Sequence, residues 1–94
     1  MDPDKKESLL AVAEIVRDSA AMNDAALAGD FDEARFRAEL IAGKADAQGY
    51  VDLALAAGHL VTVLGPVGTV PKSGYGAGML RIANELNRIG FTPL

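Results

Sequence analysis

The 94 residues set a scale of one domain, and a chain this short buries only about 60–65% of its unfolded surface. Nine basic against 13 acidic side chains give a net charge of −4, which argues against non-specific nucleic-acid binding through phosphate neutralisation. The absence of cysteine and the single histidine exclude disulfides, thiolate nucleophiles, iron–sulfur clusters and multi-histidine metal sites, so no catalytic residue, metal or cofactor is expected.

Hydrophobic residues make up 50% of the chain, but 17 of them are alanine and only five are aromatic. That composition favours thin, closely approaching helices over a thick core. The polar start, Met1 to Glu7, has no apolar stretch of the signal-peptide kind, and a cytoplasmic location is expected. Residues 53–70 are the most apolar run. His59, Thr62, Gly65, Pro66 and Gly68 interrupt it, and no membrane insertion is expected.

The first predicted helix covers residues 4–28. Its apolar stripe is Leu9, Val12, Val16, Ala20 and Leu27 with Asn23 in line, and Ile15, Met22 and Ala26 widen it. Asp18 and Asp24 fall on its polar face. Gly29 is placed to stop the helix, and Asp30 with Glu33 three residues later forms an acid-headed capping box. A turn this short predicts an antiparallel hairpin.

The second predicted helix covers residues 31–64. Phe36, Leu40, Gly43, Ala47, Tyr50, Ala54, Ala57, Val61 and Leu64 follow one another by alternating steps of four and three, a heptad seam. Its small residues predict close helix approach at Gly43 and Ala47, tight enough that leucine there would cause strain. Arg37, Lys44, Gln48, Asp52 and His59 form the opposite, solvated stripe, and Glu33 with Arg37 makes a favourable pair one turn apart. Unbroken, the helix is about 50 Å long, but Gly43, Gly49 and Gly58 each weaken it relative to alanine, which leaves room for a bend near one of them. Residues 65–76, rich in glycine and proline, read as a loop. A third helix over residues 77–89 carries Met79, Ile82, Ala83, Leu86 and Ile89 on one face.

The chemical candidates are few. His59 has no ligand or orienting carboxylate within a turn and reads as a surface histidine. Gly74, Gly76 and Gly78 precede a helix and offer a weak anion site, although neither the P-loop nor the dinucleotide-binding spacing is present. The carboxylates spread over helix starts and polar faces without pairing into an acid–base site, and form at most an acidic surface for a basic partner. Residues 82–92, IANELNRIGFT, resemble the IA-x-x-LN-x-x-G-x-T opening of helix-turn-helix segments in serine recombinases, where the next helix enters the DNA major groove. The 94 residues hold no such following helix, so the resemblance supports a DNA-associated regulator only as an alternative.

The expected fold is all-α: an antiparallel hairpin of two long helices with a shorter third, completed by oligomerisation. The expected function is that of a non-catalytic, acidic interaction module of a bacterial type, such as an adaptor, an immunity or antitoxin protein or a phage-encoded factor. The alternatives are the DNA-associated regulator and a small-ligand or phosphate-binding bundle. The expected partners are a second copy of the chain and a basic protein. Gly43, Ala47, Tyr50, Ala54, Ala57, Leu60, Val61 and Leu64 are the candidate interface, because the far end of so long a helix would stand bare unless the third helix folds back over it as a monomer.

Overall fold

The computed structural model describes residues 3–89, which form four helices and no strand: α1 (Pro3–Leu27), α2 (Phe31–Ala47), α3 (Val51–Leu64) and α4 (Tyr75–Arg88). The first joint is the one expected. Gly29 takes the left-handed conformation at φ +77°, its N–H donates to the Ala26 carbonyl at 3.1 Å, and the Asp30 N–H reaches back to Ala25 at 2.8 Å. These are the two bonds of a Schellman motif. Asp30 then caps α2, its carboxylate accepting from the Glu33 N–H at 3.2 Å.

Residues 31–64 are not one helix. The chain turns at residues 48–50 through a second copy of the same joint. Gly49 sits at φ +78°, its N–H donates to Asp46 at 3.1 Å, and the Tyr50 N–H donates to Ala45 at 2.9 Å. The heptad spacing continues through the turn without a break, which hides it. Periodicity describes where apolar residues fall along the chain, whereas the left-handed glycine decides which way the chain runs next. The bundle therefore has four helices where three were expected, and its longest dimension is 45 Å, with 24 and 19 Å across.

Short joints make consecutive helices antiparallel neighbours. α1 packs on α2, α2 on α3 and α3 on α4, and α4 closes loosely against α1. The buried side chains bear out the thin-helix expectation. α2 faces inward with Ala34, Ala38, Ile41 and Ala45, all at zero exposure, and α3 with Leu53, Ala56, Ala57, Leu60 and Leu64. From α1 come Ile15 and Met22, and from α4 Ile82 and Leu86. Each large side chain removed from water contributes roughly 1.5–3 kcal/mol. Along α1 the flank Ile15, Met22 and Ala26 is the core face, while Leu9, Ala20 and Leu27 of the expected stripe are exposed.

α4 starts at Tyr75, two residues before the expected position, after a left-handed Gly74 at φ +96°. Tyr75 meets Phe31 edge to face, ring centroids 5.5 Å apart. Gly78 is buried because α3 leaves no room: a Cβ there would lie 3.0 Å from Leu60 Cδ1. The expected bare end is thus largely covered within the chain. Leu53, Leu60 and Leu64 are 1, 0 and 0% exposed while Leu55 stays 60% exposed, which weakens the reason given for a second copy at that place.

Candidate functional site

Two charged clusters radiate from α2. Arg35 is 4% exposed, and its guanidinium reaches the far end of α3. Nε and Nη2 donate to the Leu64 carbonyl at 3.0 and 2.6 Å, and Nη2 also to the Thr69 carbonyl at 2.5 Å. Nη1 pairs with Asp32 at 2.5 Å, and the same carboxylate oxygen accepts the Gly68 N–H at 3.0 Å. A cation at the negative end of a helix dipole is favourable, and bonds from an ionised donor are the strong ones. Arg35 therefore ties the end of α3 and the turn after it to the start of α2.

The second cluster centres on Asp18 of α1. It is 4% exposed, against the expectation of a polar face. It accepts from Arg37 Nη1 at 3.0 Å and from Lys44 Nζ at 2.7 Å. Arg37 Nε also bonds Glu33 at 2.8 Å, which is the expected pair, and Lys44 lies 3.4 Å from Glu14. Arg37 and Lys44 are thus not a free solvated stripe but the link between α1 and α2. The hydrogen bond to Glu33, then that to Asp18, holds the Arg37 guanidinium above its ordinary range. The bond to Asp18 does the same for the Lys44 ammonium. Both clusters pair their charges within the chain, with Arg37 Nη2 and one Lys44 donor left over among the described residues. Among the described residues no group of three or more histidine, cysteine, aspartate or glutamate side chains could hold a metal ion.

The expected interface residues do not share one surface. Ala57, Leu60 and Leu64 are fully buried core, and Ala54 and Val61 are half-buried beside them. Tyr50 lies in the turn. Gly43 and Ala47 are exposed, and a Cβ at Gly43 would meet nothing within 4 Å among the described residues, so leucine at Gly43 has no close contact there to strain. They sit with Phe36, 50% exposed, and half-buried Leu40 on the face of α2 opposite its core residues. The first half of the heptad seam is therefore an unused outward face, and the second half packs toward the core. The turn at Gly49 separates the two.

The three glycines of the candidate anion site fall at the start of α4. Gly74 caps the helix, Gly76 and Gly78 lie inside it, and the Gly78 N–H is already bonded to the Gly74 carbonyl at 3.2 Å. His59 is exposed, with Gly58 and Thr62 beside it on α3. Ile82 and Leu86, from the segment with the helix-turn-helix resemblance, are core residues, and residues 90–92 lie outside those described.

One feature escaped sequence reasoning. Between α1 and α4 lies a groove of about 260 Å³, lined by Val16, Ala20, Ala83 and Leu86 with Ser19, Asn23 and Asn87. Asn23 Oδ1 is buried, with no hydrogen-bond donor among the described residues. Asn23 standing in line with an apolar stripe was the available signal. No helix among the described residues is long and apolar enough to cross a membrane. No protein-family model, curated protein or solved structure matches this chain.

Proposed function

We propose that this chain is a non-catalytic interaction module that docks a protein along the outward face of α2. The observation that carries the reading is the continuous seam of Phe36, Leu40, Gly43 and Ala47 on a helix whose opposite face already fills the core. A surface helix normally places polar residues there. Apolar and small residues at seam spacing are what a partner helix packs against, and Gly43 with Ala47 lets it come close.

The test is a photo-crosslinking residue placed at Leu40, with Thr62 on α3 as the exposed control, in the cells that make the protein. A single adduct species at position 40, identified by its peptides and lost in Phe36→Ser, is the expected result. No adduct above that of the Thr62 control overturns the reading.

A further inference from the structure

The edges of the α2 seam identify its occupant. Phe36 and Gly43 hold one seam position, and Leu40 and Ala47 the other. Asp32, Glu39 and Asp46, seven residues apart, line one edge, and every one is acidic. Arg37 and Lys44, also seven apart, line the other edge, and both are basic. In heptad terms the acidic residues stand at g and the basic ones at e.

Resting on the docking reading above, we infer that the partner on this face is a second copy of the same chain, its α2 running parallel across a two-fold axis. Two identical helices related by a two-fold axis along their length bring the g edge of one against the e edge of the other. Glu39 then meets the partner's Lys44, Asp32 meets the partner's Arg37, and symmetry makes each contact twice. An antiparallel two-fold pair brings each edge against itself, acid on acid and base on base. Charge thus selects both the self-partner and its direction.

The side chains remain available for this. Glu39 and Asp46 are exposed and make no ion pair among the described residues. Arg37 uses Nε and Nη1 internally and keeps Nη2, while Lys44, held by Asp18 and Glu14, keeps the remaining donor of its ammonium. Asp32 is the most committed member, being bonded to Arg35 and Gly68. The Glu39–Lys44 contact therefore carries more of the selection. At the centre, Gly43 and Ala47 allow close approach and Phe36 supplies the apolar area. α2 has 17 residues, little more than two heptads, so the contact is small and the association weak, with Kd on the order of 10–100 µM.

The chain contains no cysteine, so single cysteines report contacts cleanly. In a glutathione redox buffer at about the expected Kd, Ala47→Cys and Leu40→Cys are each expected to form symmetric disulfide dimers at least tenfold above Thr62→Cys. A mixture of Phe36→Cys and Ala47→Cys chains is expected to give little mixed dimer, because parallel helices hold those positions at opposite ends. Sedimentation of Glu39→Lys, which alters an exposed residue with no ion pair among the described residues, is expected to show association weakened at least fivefold, more at low salt than at high salt. Preferential mixed 36–47 dimers, or no dimer above the Thr62 control, overturn the proposal. Crosslinking at Leu40 to a different protein would also overturn it while leaving the docking face standing. No adduct at all removes both.

Discussion

Two hairpins of this bundle, α1–α2 and α2–α3, are built on the same joint, yet only one could be read from the sequence. Gly29 and Gly49 have φ values one degree apart, and each is followed by the same pair of backward N–H bonds. At the first, an acid and a glutamate three residues on signal a new helix. At the second, Tyr50 offers no capping side chain and the apolar spacing continues undisturbed. A helix–turn–helix joint needs the left-handed glycine and two carbonyls. The polar cap is an addition that happens to be visible.

The hairpins also differ in how charge holds them. α1–α2 is held by buried Asp18 between Arg37 and Lys44, and α2–α3 by buried Arg35 on the carbonyls of Leu64 and Thr69. Removing the second link should have the larger effect. Arg35→Met strands the Leu64 carbonyl at the end of α3 and the Thr69 carbonyl in the turn after it, and is expected to cost about 3 kcal/mol in urea melts and to speed amide exchange over residues 65–72. A loss below about 1 kcal/mol would mean that apolar packing alone holds the second hairpin.

The glycines themselves test whether the joints are equivalent. Gly29→Ala and Gly49→Ala each force a side chain into the left-handed region, with open space around the new Cβ. Each is expected to lose about 1–2 kcal/mol, and the two losses should agree within about half a kcal/mol. A much smaller loss at Gly49 would separate the joints.

Against these tight hairpins stands the looser closure of α1 by α4. Replacing Asn23 by leucine removes a buried acceptor without a donor and adds apolar area to the groove. Stability is expected to rise by about 1 kcal/mol in the same melts. An unchanged or lowered midpoint would show that the amide is satisfied in solution.

The smallest effect expected concerns pH. The bond to Asp18 raises the Lys44 ammonium above its ordinary value of 10.5. A raised cationic pKa contributes its full stabilisation below the unfolded value and loses it as pH climbs through the folded one. The stability gap between the wild type and Lys44→Gln is therefore expected to stay constant from about pH 6 to about pH 9 and to narrow above about 10.5. A gap that already closes between pH 7 and 9 contradicts the pairing.

The all-α class, the first joint and its cap, and the Glu33–Arg37 pair were legible because each is local: a glycine, a cap residue or a one-turn spacing. The break at Gly49 was legible only as one of three possible bends, with Gly43 and Gly58, because an uninterrupted heptad does not show which glycine takes the left-handed conformation. The inward turn of Asp18 and Arg35 was not legible either. A charged residue is buried when a distant element supplies its partner, here 19 residues away for Asp18 and 29 for Arg35. The seam was recognised as a contact surface, but periodicity carries no record of which side of α2 the rest of the chain occupies. Only the chain reversal shows that Phe36, Leu40, Gly43 and Ala47 are left over.

That reversal underlies everything proposed for the outer face of α2, and a single distance tests it. Nitroxide labels on Phe36→Cys and Thr62→Cys, diluted with unlabelled chain, can be measured by double electron–electron resonance. One unbroken helix separates the two positions by about 39 Å. A turn at Gly49 brings them within about 25 Å, since Arg35 bonds the Leu64 carbonyl at 2.6 Å. A distribution centred below about 25 Å is expected, and one centred near 39 Å would contradict the fold and the docking face together.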